Sequence, residues 1–105
     1  MTETSINYAK ALYELSVPEE AVLETEKIFR STPQLKGALE NPLVSLKEKE
    51  HVIDRVFPQE MKNFLKVTCK YQKISSIYDI LEAYGNYSRK QKGILKAVLT
   101  YLSLI

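Results

Sequence analysis

The sequence predicts an all-α domain, a compact bundle of six short helices. Three observations carry that expectation. Four prolines and a few capping residues cut the 105-residue chain into six segments whose apolar residues recur with helical period. No segment before the C-terminal end alternates apolar and polar residues as a half-buried strand would. Composition is that of a folded globular chain, 45% hydrophobic and 27% charged with only 3 Gly and 4 Pro. That excludes disordered, collagen-like and low-complexity classes. One domain of this length should bury roughly 65% of its unfolded surface, enough for a core without disulfides or metals.

Each element has its own signal. Ser5 can cap a first helix to about Ser16, with Tyr8, Leu12 and Leu15 spaced i, i+4, i+7. Pro18 followed by Glu19 and Glu20 starts a second. Proline fits the first turn, and carboxylates favour the positive end of the helix dipole. It should run to about Ser31 and bury Ala21, Thr25, Ile28 and Phe29. Thr32-Pro33 opens a short third helix carrying Leu35, Ala38 and Leu39, which Asn41-Pro42 ends. Ser45-Leu46-Lys47-Glu48 matches a capping box, so a fourth helix begins at Leu46 and buries Val52, Ile53 and Val56. After Pro58 a fifth helix runs from about Gln59 to Gln72. Ser75 or Ser76 caps a sixth, with Ile77, Ile80, Leu81 and Tyr84 inside. The expected core is Phe29, Leu39, Val52, Ile53, Phe64, Leu65, Ile77, Ile80 and Leu81.

Charge and chemistry narrow the function. Fifteen Lys and Arg against thirteen Asp and Glu leave +2, too little to recognise nucleic acid. The lone Cys cannot form an internal disulfide. No signal-peptide pattern and no apolar run of about 18 residues is present. The expectation is a soluble, intracellular chain with no metal and no cofactor. His51 sits in the charged stretch Lys47-Glu48-Lys49-Glu50 and reads as solvated. Cys69 lies mid-helix without a neighbouring His, which suits packing better than nucleophilic attack. Gly37, Gly85 and Gly93 are isolated, so no glycine-rich loop can cradle phosphate. Catalysis has no constellation to rest on.

Two helices carry more apolar surface than a small bundle needs. On a wheel of about 100° per residue, Asn7, Lys10 and Glu14 confine the polar side of helix 1 to about 60°. Ala11, Leu15, Tyr8, Leu12, Ala9 and Tyr13 fill about 200° opposite. In helix 5, Thr68, Met61 and Leu65 form the centre, Cys69 one flank, and Phe64, Tyr71 and Val67 the other; Lys62, Asn63, Lys66 and Lys70 are its polar strip. A surface helix usually needs an apolar stripe little over about 100° wide. Either both helices are central and covered on two sides, or their second flank is a groove for an amphipathic helix from a partner.

The order of motifs resembles a known family. Tyr8-Ala9-Lys10-Ala11-Leu12-Tyr13-Glu14-Leu15 looks like the opening signature of the delta subunit of F-type ATP synthases, called the oligomycin-sensitivity-conferring protein in mitochondria. Leu39-Glu40-Asn41-Pro42 with Lys47 and Lys49, then Asn63-Phe64-Leu65-Lys66-Val67, Lys73-Ile74, the Ile77, Ile80, Tyr84 stripe and Gly93 with Ala97-Val98 follow in the family's order. Lys73 stands where the family usually has Arg, and the family protein is nearly twice this length. The resemblance implies a six-helix N-terminal domain that sits on the catalytic head. There it binds the N-terminal helix of an alpha subunit between helices 1 and 5, as a non-catalytic stator. Tyr8 and Val67 match groove-lining positions of the family, and the wheel adds Ala11, Leu12, Leu15, Lys70 and Tyr71. The implied location is the cytoplasmic side of a bacterial inner (plasma) membrane, reached only through the complex. A free-standing helical adaptor binding an amphipathic partner helix is the alternative.

On this reading residues 1–92 form the six-helix domain, and residues 93–105 resemble the first strand of a missing C-terminal domain, the part that meets the peripheral-stalk b subunits. Three fates are open to this apolar tail: fraying, pairing with another chain, or joining helix 6. The i, i+4, i+7 spacing of Leu95, Leu99 and Leu102 favours the helix, with self-association through the Leu99, Leu102 and Ile105 side as its consequence.

Overall fold

The computed structural model describes residues 2–104. Six helices follow one another: α1 (Glu3–Glu14), α2 (Glu19–Ser31), α3 (Pro33–Glu40), α4 (Leu46–Val56), α5 (Gln59–Lys70) and α6 (Ile77–Leu104). A 3-10 turn over Ile74–Ser76 leads into α6, and no strand occurs among the described residues. The fold is all-α, as the helical periodicity predicts.

Local chemistry sets the boundaries. The Thr2 hydroxyl, not Ser5, caps α1 by accepting the Ser5 backbone N–H at 3.1 Å. A cap satisfies an N–H two or three residues on, here three, and Ser5 itself is buried inside the helix. Ser45 caps α4 through the Glu48 N–H at 3.2 Å, the bond that its capping box predicts. α5 closes with Gln72 in the left-handed region at φ 58°. The Lys73 N–H then donates to Thr68 O at 2.9 Å and the Gln72 N–H to Cys69 O at 3.0 Å. This is the Schellman arrangement, in which glycine is the usual residue.

The core sits where α2, α4, α5, the 3-10 turn and the first half of α6 meet. Phe29 is fully buried, with the Phe57 ring 4.9 Å and the Tyr78 ring 6.5 Å from its own. Leu39, Ile53, Met61, Leu65, Ile74, Ile77 and Ile80 close around it. Thr25 and Thr68 are buried without penalty, because each hydroxyl donates to the carbonyl four residues back, Ala21 O at 2.8 Å and Phe64 O at 2.7 Å.

Further sequence expectations need correction. Val56 is exposed and Val52 half-buried; α4 instead turns Lys49 and Ile53 inward, with Phe57 following just beyond its end. Extended backbone at Phe57 aims the ring at Phe29, displacing the valine from the core. Ile28, read as buried, is half-buried. Lys49, read as part of a charged face, is only 8% exposed, its stem following the Ile53 row of α4. Neither Ser75 nor Ser76 caps α6, since both lie in the 3-10 turn that buries Ile74.

α1 packs chiefly against α6, and α4 against α5. Ser5, Ala9 and Leu12 on α1 are buried, as are Ala83, Tyr84 and Ser88 on α6. Small side chains on both helices let their backbones come close. The tail is helical: α6 passes through Gly93 without a break and ends at Leu104. Ile105 lies outside the described residues.

Candidate functional site

Because α1 leans on α6 and α5 on α4, the two wide-arced helices are bridged by side chains and not by close backbone packing. Tyr8 and Phe64 meet edge to face, ring centroids 6.4 Å apart. This aromatic pair forms the floor of an apolar groove of about 750 Å³ lined by Asn7, Tyr8, Ala11 and Glu14, with Leu15, Asn63, Phe64 and Val67. Leu15 is 59% exposed and Val67 48%. Both the centre of each helix and its flank are therefore in use. Ala9, Leu12, Met61, Leu65 and Thr68 face the interior, while Ala11, Leu15 and Val67 face the groove.

The structure separates the seven residues expected to bind a partner. Tyr8, Ala11, Leu15 and Val67 line the groove together. Leu12 has no exposed surface and belongs to the core, so it cannot touch a partner helix. Lys70 and Tyr71 are exposed at the end of α5 outside the lining, with the Lys70 Nζ 5.8 Å from the Tyr71 ring centroid. Asn7, Glu14, Asn63 and Phe64 line the groove without having been expected there. Asn7, Ala11 and Glu14 are i, i+4, i+7, and Asn63 and Val67 are i, i+4. Extending each helix's apolar flank by one row finds Asn7, Glu14 and Asn63, whose polarity placed them on the solvent side instead; Phe64, read as core, is buried and lines the groove as well.

Electrostatics around the groove are mild. Glu14 is the one charged residue in its lining. Behind α5, Lys66 bonds Asp54 of α4 at 2.7 Å and holds that carboxyl below its ordinary pKa. Lys92 of α6 bonds Glu19 at the start of α2, and this bond raises the lysine's pKa. Cys69 is buried, and desolvation pushes its thiol up to about 11, leaving it protonated at neutral pH. His51 is exposed. No group of three or more metal-ligating side chains gathers among the described residues. A surface with this make-up can bury an apolar helix face; it offers no group poised to attack a substrate.

The sequence pattern of the ATP synthase delta (OSCP) subunit family matches residues 5–103. This chain belongs to that family. Subunit delta of the ATP synthase of Clostridioides difficile is 31% identical over 103 residues, covering 87% of this chain and 57% of the relative. The subunit delta of Protochlamydia amoebophila is 30% identical over 112 residues, covering 95% of this chain and 62% of the relative. That of Prochlorococcus marinus (strain MIT 9301) is 28% identical over 104 residues, 89% and 58% respectively. The chain thus spans about 57–62% of the length of these relatives. No solved structure matches it. Both walls of the groove fall inside the stretch that the delta family pattern covers.

Proposed function

We propose that this chain is the head-binding domain of the stator of a proton-translocating F-type ATP synthase. Its groove between α1 and α5 takes the amphipathic N-terminal helix of an alpha subunit. The observation that carries this reading is the groove itself, an apolar trough walled by Tyr8, Ala11, Leu15 and Val67 on a chain of the delta family. A helix laid in it exchanges water for apolar contact over the exposed flanks of both helices.

The role is mechanical. The domain holds the head to the peripheral stalk, so that torque from the rotor drives ATP synthesis instead of turning the head. It makes and breaks no bond. Residues 1–92 contact the head, and contact with the peripheral-stalk b subunits lies outside the six-helix unit. Attachment to a bacterial inner (plasma) membrane is peripheral, on the cytoplasmic side, through the assembled complex.

The test is titration calorimetry with a peptide copying roughly the first twenty residues of the alpha subunit. Val67→Asp sets a carboxylate in a dry contact, at a cost of several kcal/mol without a partner. Val67 is half exposed, so the fold survives the change. Wild type binds the peptide and the Asp variant loses at least tenfold in affinity; equal affinities would place the partner helix elsewhere.

A further inference from the structure

Lys49 of α4 is the one Lys, Arg, Asp or Glu side chain buried among the described residues, at 8% exposure. Thr25 and Thr68 answer their burial with bonds to backbone carbonyls. Lys49 has no such answer, since among the described residues its ammonium forms no ion pair and no hydrogen bond. An ion held out of water without a partner is costly, and buried charges in folded proteins are normally paired. Lys49 instead lines a cavity of about 280 Å³ where four parts of the chain meet. Leu39 and Glu40 end α3, Pro42 follows it, and Cys69 lies in the last turn of α5; Gln72, Ile74 and Ser75 belong to the turn that leads into α6. With Lys49, the buried side chains of Leu39, Cys69 and Ile74 make the floor, while Glu40, Pro42, Gln72 and Ser75 are exposed around the mouth. The Lys49 ammonium lies close to the Cys69 thiol: burial raises that thiol, and the lysine's charge pulls against the rise.

We infer that this cavity is a phosphate-binding site, with Lys49 as the cation that holds the ion. Charge decides the class of ligand. Glu40 is the one acid in the lining, and Lys36 neutralises it. Lys49 is therefore the charge left without compensation. A metal ion would be repelled, and an apolar ligand would strip the ammonium of its remaining water and return nothing. An anion supplies the charge-assisted bond that the site lacks. The donors decide which anion. The Lys49 ammonium, the Gln72 amide and the Ser75 hydroxyl come from α4, the turn after α5 and the 3-10 turn. Phosphate points its oxygens in four directions and can meet donors on several sides, whereas a carboxylate has two oxygens in one plane. Size agrees, because the cavity lies just below the about 300–1,000 Å³ of pockets that take drug-sized ligands. The mouth is also set in advance: Gln72 is held at φ 58° by the bonds that close α5, so little ordering is left for binding to impose. Free phosphate and the terminal phosphate of a nucleotide share this chemistry. The cavity and the α1–α5 groove have no residue in common, so this inference stands or falls apart from the proposed function.

Amide chemical-shift titration of the wild-type chain with inorganic phosphate, at an ionic strength held constant with sodium chloride, decides it. Saturable shifts are expected at Glu40, Lys49, Gln72, Ile74 and Ser75, with Tyr8 and Val67 in the groove unmoved. Lys49→Met keeps the apolar stem and removes the charge, and should weaken phosphate binding by about tenfold or more. A thermal melt shows whether that variant keeps its fold. Ser75→Ala, at an exposed position, removes one neutral donor without touching the core and should weaken binding about threefold; it carries the test if Lys49→Met does not fold. Acetate should bind several-fold more weakly than phosphate. ATP in place of phosphate separates the two sources: tighter binding assigns the site to a nucleotide's phosphate and weaker binding to the free ion, and either upholds it. Shifts that rise without saturating would overturn the inference. So would equal phosphate affinity in wild type and either folded variant, or acetate bound as tightly as phosphate.

Discussion

The two halves of α6 are one continuous helix with opposite fates. Ile77, Ile80, Leu81, Ala83, Tyr84 and Ser88 in the first half are buried against α1, α2 and the 3-10 turn. Ile94, Leu95, Val98, Leu99, Tyr101 and Leu102 in the second are as apolar and remain exposed. Helical propensity and periodicity are present in both, so they cannot explain the difference. What differs is the presence of neighbours. The molecule measures 60 × 26 × 21 Å, and a 28-residue helix is about 42 Å long, longer than the bundle is thick. Burial thus follows from how far α1 and α2 reach along α6, and α2 begins at Glu19 beside Lys92. The passage between the halves is marked by Lys92, which bonds Glu19, and by Gly93.

The largest expected effect sets the halves directly against each other. Ile80→Ala removes a fully buried side chain and should cost about 2–5 kcal/mol through lost transfer energy and the cavity left behind. Leu99→Ala, at a half-exposed position, should change stability by about 0.5 kcal/mol or less in dilute protein. Urea unfolding of both variants checks the contrast. Similar losses would mean that the tail is packed in solution. Phe64→Ala should resemble Ile80→Ala, at about 3–5 kcal/mol, since Phe64 is buried beneath Tyr8.

Why the sequence yields one half of α6 more readily than the other is the same matter of neighbours. Prolines and caps are local chemistry, and they place α2, α3 and α4 almost to the residue; the Ser45 hydroxyl caps α4 at the Glu48 N–H, where its motif puts it. Positions whose fate depends on the partner helix were harder to read. Leu12 lies on the apolar arc of α1, but a wheel cannot tell the edge that meets α6 from the edge that borders the groove. Tyr71 fits the stripe of α5, yet the helix ends at Lys70 and the ring falls past the groove. Val56 loses its core place to Phe57 because extended backbone lies outside any helical period. The tail carried signals for strand and helix alike, and the helix prevails because Gln91 to Ala97 continue an existing one.

A smaller effect is expected at the boundary. A Cβ added at Gly93 meets nothing within 4 Å, and the residue lies within α6. Gly93→Ala should therefore stabilise the helix by about 0.5–1 kcal/mol. Amide exchange reads this as slower exchange from Ile94 to Leu104. An unchanged rate would mean that the tail frays independently of the packed half.

The smallest effect concerns the Lys92–Glu19 pair, which is exposed and screened by solvent. Its bond to Glu19 raises the Lys92 pKa above the ordinary 10.5. The stabilisation is therefore fully present below about that pH and is lost as pH rises through the raised value. Thermal melts of wild type and Lys92→Gln should differ slightly at pH 8 and converge in strongly alkaline buffer. A gap that persists there would assign the effect to something other than Lys92.

The central claim is that the free flanks of α1 and α5 form one docking surface, distinct from the core that their other faces build. Amide chemical-shift mapping with the alpha-subunit peptide, carried out on dilute wild-type protein, tests it most directly. The account predicts shifts concentrated at Tyr8, Ala11, Leu15, Asn63 and Val67, with Leu23 on α2 and Leu43 after α3 unmoved although both are exposed. Shifts centred on α2 or on the loop after α3, with the groove residues silent, would contradict it.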